Sequence, residues 1–229
     1  PPFLIDVDDF CIQGNIYPFY VMRYVRGQGL PDFVESRGCD WLYVVGYNLL
    51  RKLCHLHSQG WIFGDLKAEN VIVPSYGEAE LVDYGGVTPI GRSVKQFTEI
   101  YDRGYWGAGS RIAEPAYDLF AFAILMLHIM DSQKRVFAAL KFSSPLRNVK
   151  YLMEIIRTTP QGKLVAPFLQ KALQGKYSSS EEAAMEWREC ILQTGAGRRD
   201  LGPVQLPLVK GFFTAALCLF AATLFLVLK

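Results

Sequence analysis

The segment Gly64-Asp65-Leu66-Lys67-Ala68-Glu69-Asn70, followed by Leu81-Val82-Asp83-Tyr84-Gly85, sets a carboxylate, a lysine, an amide and a second carboxylate close together in the chain. Those residue types suit the transfer of a phosphoryl group from a metal-bound nucleotide. A hydroxyl nucleophile needs a base, and the Asp65 carboxylate can take its proton. The transferring oxygens carry charge that a cation must offset, and Lys67 lies two residues on. A divalent metal wants hard oxygen ligands, which Asn70 and Asp83 offer. Each cluster adjoins an apolar, strand-like run: Val71-Ile72-Val73 after the first and Leu81-Val82 before the second.

The elements that must hold these groups are legible on either side. Phe3 to Ile5 and Ile16 to Val25 are apolar and β-rich, and the turn signal Gln13-Gly14-Asn15 separates them, so a strand pair is expected. Arg26-Gly27-Gln28-Gly29 breaks that pattern, and Leu30 opens a helical region. Leu42, Val45, Leu49, Leu53 and Leu56 recur at helical spacing, predicting an amphipathic helix over Trp41–His57 that ends at Gly60. His55 and His57 close that helix without an acid or cysteine at ligand spacing, and read as capping or surface histidines. A turn is expected at Pro74-Ser75-Tyr76-Gly77, and a mobile loop over Thr88–Ser110, which is polar and glycine-rich. Asp118 to Met130 is apolar on nearly every side and predicts a buried central helix. Further helices are expected around Leu146–Thr158, Val165–Gln174 and Glu181–Gln193, the last capped by Ser178-Ser179-Ser180-Glu181-Glu182.

With 229 residues, 51% apolar and 20% charged, the chain has the composition of a globular protein and not of a disordered one. The net charge of +2 hides an asymmetry. From Asp131 to Lys176 there are nine bases against two acids, whereas residues 1–40 carry six acids against three bases. The basic stretch 134–176 suits either of two partners, an anionic lipid surface or a DNA backbone. The five cysteines are odd in number and scattered, and read as reduced thiols. Gly211 to Leu228 is an uncharged run of eighteen residues. As a helix it would cover about 27 Å, close to the thickness of a bilayer core. Arg198, Arg199 and Lys210 precede it and Lys229 follows, so a single-pass anchor with its front in the cytoplasm is expected. Gly211 and Ala215 have the small-residue spacing of helix dimers, so a homodimer is one expected partner arrangement.

These motifs resemble those of the eukaryotic-like (Hanks-type) Ser/Thr protein kinases of bacteria, and more narrowly the short kinases with a C-terminal membrane anchor found in endospore-forming bacteria. Phe63 to Asn70 stands where that family has HRDLKxxN, and Asp83-Tyr84-Gly85 where it has DFG. Tyr20 to Val25 is similar to the last N-lobe strand and hinge, and the eighteen-residue gap between Asp65 and Asp83 suits the fold. The resemblance implies an α+β, protein-kinase-like fold: a partial N-lobe sheet (1–25), a helical C-lobe (26–194), a linker (195–207) and one C-terminal transmembrane helix (208–229). It implies ATP and Mg2+ as cofactors, protein substrates, a place at the cell membrane and a link to sporulation. Carried over by position, Asp65 would be the base and Lys67 the phosphate-side cation, while Asn70 and Asp83 would hold metal. Met22 would be the gatekeeper, Val25 would bond adenine through its backbone, Ile72 would pack under the ring, and Asp118 would bond the catalytic-loop backbone.

The departures from the family are informative. Phe63 and Gly64 replace the histidine and arginine before the catalytic Asp. Without that arginine, phosphorylation at Thr88, Ser93, Thr98 or Ser110 is not expected to be an obligatory switch. Tyr84 replaces the usual Phe, Trp106-Gly107-Ala108 falls near the place of APE, and Lys176-Tyr177-Ser178 replaces Arg-Pro-Thr. No glycine-rich phosphate loop, strand lysine or regulatory-helix glutamate precedes the hinge in these residues. The expectation is a fragment that begins near the fourth N-lobe strand and transfers phosphate poorly by itself. Two alternatives stay open: a membrane-tethered pseudokinase that binds a partner, and a small-molecule phosphotransferase of kinase-like fold. Lys67 speaks against the latter, where His or Thr is usual at that position.

Overall fold

The computed structural model describes residues 4–193. Its core is built on the most apolar helix, α3 (Pro115–Met130), whose side chains are buried nearly all round. The amphipathic α2 (Asp40–Ser58) turns Leu42, Val45, Leu49, Leu50 and Leu53 into that core. Helices α6 (Ala166–Leu173) and α7 (Ser180–Gln193) pack against α3 as well. Trp187 of α7 joins the layers: its ring meets Phe122 of α3 edge-on at 5.2 Å and Phe168 of α6 at 4.9 Å. Its indole N–H donates to the Tyr43 carbonyl at 2.9 Å. Gly46 of α2 makes room for it, since a Cβ there would stand 2.7 Å from the Trp187 ring. The remaining helices are α1 (Leu30–Arg37), the short α4 (Arg135–Ala138) and α5 (Val149–Thr158).

Among the described residues, one long hairpin is accompanied by five short strands. β1 (Leu4–Ile12) and β2 (Asn15–Met22) form an antiparallel hairpin with Ile12 opposite Asn15 and Cys11 opposite Ile16. Every residue of both strands is exposed, apolar ones such as Ile5, Phe10, Ile16 and Tyr20 included. β3 (Gln28–Gly29), β5 (Val71–Val73) and β6 (Glu80–Leu81) make a small antiparallel sheet, and β4 (Trp61–Ile62) pairs with β7 (Thr88–Pro89). These two small sheets are the frame on which both candidate site segments are stretched.

The helices and the turn at Pro74–Gly77 fall where the sequence places them. The α7 cap is present too: the Ser179 hydroxyl accepts from the Glu182 amide at 3.1 Å, and the Glu182 carboxylate accepts from the Ser178 amide at 2.9 Å. The segment Thr88–Ser110 differs from the open loop expected of its composition. It contributes β7, a 3-10 turn at Glu99–Tyr101 and the buried side chains Val94, Ile100, Tyr101 and Trp106. Asp102, fully buried, organises it by accepting from Arg111 Nε at 2.8 Å, the Tyr117 hydroxyl at 3.0 Å and the backbone amides of Gly104 and Tyr105. Arg103 bridges to Glu114 at 2.6 Å and donates to the Ser110 carbonyl at 2.6 Å. A polar composition conceals these few anchors because they act through charge and not through apolar periodicity.

Among the described residues no helix is long and apolar enough to cross a membrane. The segment Gly211–Leu228 lies outside them.

Candidate active site

Asp65 sits in the loop between β4 and β5 and is 4% exposed. One carboxylate oxygen, Oδ2, accepts from Lys67 Nζ at 2.7 Å. The other, Oδ1, accepts from the Thr98 hydroxyl at 2.8 Å. Asn70 closes the loop from the far side: its amide nitrogen donates to the Asp65 carbonyl at 2.9 Å, which leaves its oxygen for another partner. The Asn70 carbonyl accepts from the Val82 amide at 3.0 Å, so the segment bearing Asp83 is held directly beside it. Asp83 itself is exposed and left-handed (φ 58), and accepts from the Gly85 amide at 3.3 Å.

The loop backbone hangs from α3. Asp118, with no exposure at all, accepts from the Phe63 amide at 2.6 Å, the Gly64 amide at 2.9 Å and His57 Nε2 at 2.9 Å. The other imidazole nitrogen meets the Ser180 hydroxyl at 2.6 Å. His57 is therefore neither a cap nor a surface histidine: it is buried and links the starts of α3 and α7 to the loop. Ser180, His57 and Asp118 have the residue types of a hydrolytic triad, but all three are buried and the carboxylate already serves backbone amides. They are a scaffold.

Phe63 and Tyr84, both departures from the family pattern, meet edge-to-face at 5.5 Å and 84°. Gly64 is left-handed (φ +81), and a Cβ there would stand 2.4 Å from the Gly86 carbonyl oxygen. The residue in the family's arginine position thus lies against the backbone of the second motif. Lys176 is exposed and Trp106 buried, and the segment between the motifs and α3 is closed instead by Arg103–Glu114 and Arg111–Asp102. A cavity of about 700 Å³ opens beside Gly85 and Gly86, with Arg92 and Lys95 in its wall and no acid among its lining residues.

Of the residues singled out in the sequence, Asp65, Lys67 and Asn70 are joined by hydrogen bonds and Asp83 is tied to them through backbone. Ile72 lies on β5, where a Cβ on Gly27 would stand 2.7 Å from its Cγ2, so the connection after β2 runs directly over it. Val25 is half-buried in that connection, and Met22 ends β2 with 42% exposure. From the sequence Thr98 stands only among four loop hydroxyls at which phosphorylation is not expected to be an obligatory switch. Its contact with Asp65 is made across thirty-three residues, and no local spacing signals it.

A magnesium–nucleotide pair fits these residues. Asn70 presents an oxygen because its nitrogen is committed, Asp83 presents an exposed carboxylate, and among the described residues no three His, Cys, Asp or Glu side chains gather to hold a cation unaided. Magnesium held by one or two protein oxygens with phosphates completing its shell has that requirement.

No protein-family model matches the chain. Individual proteins do. YabT, a serine/threonine-protein kinase of Bacillus subtilis strain 168, is 39% identical over 184 residues, 79% of this chain and 52% of YabT. The serine/threonine-protein kinase STE20 of Yarrowia lipolytica is 28% identical over 211 residues, 86% of this chain and 18% of its own length. The kinase SMU1 of Mycosarcoma maydis is 27% identical over 133 residues, 56% of this chain and 18% of its own length. The chain therefore spans about half the length of YabT and under a fifth of the fungal kinases. Over the residues they share, the chain is similar to YabT and to other serine/threonine-protein kinases.

Proposed function

We propose that this chain carries the catalytic half of an ATP- and Mg2+-dependent serine/threonine protein kinase, non-RD at Gly64 and held at the cell membrane by Gly211–Leu228. The observation that carries the reading is the Asp65 carboxylate, which receives a threonine hydroxyl on Oδ1 and a lysine ammonium on Oδ2. A substrate hydroxyl presented to Asp65 would lose its proton to that carboxylate as its oxygen attacks the γ-phosphorus of ATP and the bond to the β–γ bridging oxygen breaks, releasing ADP. Lys67, already beside the base, would bond the transferring phosphoryl oxygens. Asn70 and Asp83 would hold the metal ion. When bound, that ion supplies positive charge to the phosphate oxygens. Met22, Val25 and Ile72 would contact the adenine. The kinase names of the relatives support the same reading.

Residues 1–229 contain no strand lysine ahead of the hinge, so they are proposed to be poor catalysts when tested alone. The eighteen uncharged residues of Gly211–Leu228 support a single-pass anchor with the kinase domain in the cytoplasm. For the basic stretch, an anionic lipid surface is the proposed partner. Arg135 and Arg157 are paired within the fold to Asp131 and Glu154, Lys171 to Glu182 and Glu186, and Arg147 lies over the Tyr105 ring. The exposed Lys134, Lys141, Lys150, Lys163 and Lys176 are left to meet such a surface. DNA binding lost on charge reversal of those lysines would favour the second partner.

The test is phosphate transfer to a serine-containing protein by the full-length protein with Mg-ATP. Asp65→Asn should lower kcat by about 10²- to 10⁴-fold, the usual worth of a general base. Transfer that survives Asp65→Asn would overturn the reading.

A further inference from the structure

Tyr101 lies three residues beyond Thr98, 4% exposed, and its hydroxyl oxygen has two partners. The Ala68 amide donates to it at 3.4 Å, and His128 Nδ1, near the end of α3, lies 3.0 Å away. Ala68 directly follows Lys67, so this oxygen grips the backbone of the segment that carries Asp65 and Lys67. His128 is half-buried with the Phe137 ring against it at 4.4 Å. Three charged groups face it: Glu69 from the catalytic loop, Asp131 just beyond α3 and Lys134 ahead of α4. Burial outweighs the two acids, and together with Lys134 it holds the imidazole below its usual 6.5.

We infer that Tyr101 and His128 are positioning residues for the catalytic loop, and that they hold the Ala68 amide only while the His128 imidazole is neutral. The consequence for catalysis rests on the kinase reading above; the tether itself does not. A neutral imidazole protonated at Nε2 offers a lone pair at Nδ1 and accepts the Tyr101 O–H. The tyrosine oxygen then faces Ala68 as a pure acceptor, and the two bonds run in one direction, each polarising the other. A proton on Nδ1 turns that nitrogen into a donor. The hydroxyl hydrogen loses its acceptor and must turn elsewhere around an oxygen that now has N–H groups on two sides. Ionisation offers Tyr101 no escape, because burial raises its pKa far above the ordinary tyrosine value. The neutral, tethered form is thus complete above about pH 6.5 and is lost as pH falls through the lowered value.

Hydrogen exchange at the Ala68 amide of the full-length protein, corrected for the intrinsic rate at each pH, reads the tether directly. At pH 7.5, Tyr101→Phe should cut its protection about five- to tenfold, the worth of one hydrogen bond. Wild-type protection should fall by a similar factor as pH drops below about 6.5. His128→Asn should stay protected, because its amide oxygen offers an acceptor at the Nδ1 place that takes no proton in this range. Equal protection in wild type and folded Tyr101→Phe, or the same pH response in wild type and His128→Asn, would overturn the inference. If kcat follows the same pH fall with KM steady, and His128→Asn flattens it, the tether acts on catalysis. If the exchange pattern holds in a protein that transfers no phosphate at any pH, the tether stands and the kinase reading falls.

Discussion

Gly64→Ala tests whether the glycine before Asp65 is a free choice or a structural demand. The residue is left-handed at φ +81, and an added Cβ would lie 2.4 Å from the Gly86 carbonyl oxygen and 3.2 Å from its carbon. Two costs should therefore add. A non-glycine residue in this backbone region costs about 1–3 kcal/mol. Overpacking against backbone, which yields far less than a side-chain tip, costs about 1–3 kcal/mol more. Gly60→Ala isolates the first cost, since Gly60 has nearly the same φ (+82) with nothing within 4 Å of its Cβ. Denaturant unfolding should show Gly60→Ala destabilised by about 1 kcal/mol and Gly64→Ala by about 2–4 kcal/mol. For a domain of this size that difference is about 2–12 °C in Tm. Gly64→Arg, which restores the family's arginine, should be no better than Gly64→Ala because the clash begins at Cβ. Equal losses in the Gly60 and Gly64 variants would refute the reasoning and leave Gly64 a permissive position.

Four further outcomes are expected. Thr88→Ala, Ser93→Ala and Ser110→Ala together should leave phosphate transfer intact. Adding Thr98→Ala should lower kcat by about 10- to 150-fold, since one hydrogen bond to a charged group is worth about 1.5–3 kcal/mol, and Thr98→Ser should restore it. The Glu182 carboxyl is held down at about 2 by Lys171 first and then by the Ser178 hydroxyl and amide, against an ordinary 4.5. Between those values the unfolded chain binds more protons, so the stabilisation is complete above about pH 4.5 and lost toward pH 2. The stability gap between wild type and Glu182→Gln should close across that window in acid titrations followed by circular dichroism. Residues 1–229 alone should bind Mg-ATP more weakly than micromolar in calorimetry. In the full-length protein, EDTA and Asp83→Ala should weaken nucleotide binding to the same extent, and a metal response surviving Asp83→Ala would remove that residue from the site.

Local chemistry was the legible part of the site. Asp65, Lys67 and Asn70 lie within six positions, and the loop that carries them is short enough for their spacing to fix their contacts. The helices were legible for a similar reason, because a stripe such as Leu42, Val45, Leu49 and Leu53 records which face is buried. What escaped depends on side chains that meet across long separations. Thr98 reaches Asp65 over thirty-three positions, and His57 finds Ser180 over one hundred and twenty-three. No periodicity announces a hydroxyl or an imidazole that is buried by charge and not by apolarity.

That division bears on the order in which the site must be assembled. Asp118 takes up the amides of Phe63 and Gly64, so α3 has to be in place before the loop has its shape. His57 spends one ring nitrogen on that same carboxylate and the other on Ser180 at the start of α7, which makes the loop answerable to two helices at once. Asp65 stands apart from this scaffold: among the described residues, its carboxylate is hydrogen-bonded by Lys67 and Thr98. The scaffold is buried and multiply bonded, while the Asp65 carboxylate is held by two side chains among the described residues. A site arranged this way fixes its backbone and leaves the Asp65 oxygens exchangeable, as the proposed phosphoryl transfer would require.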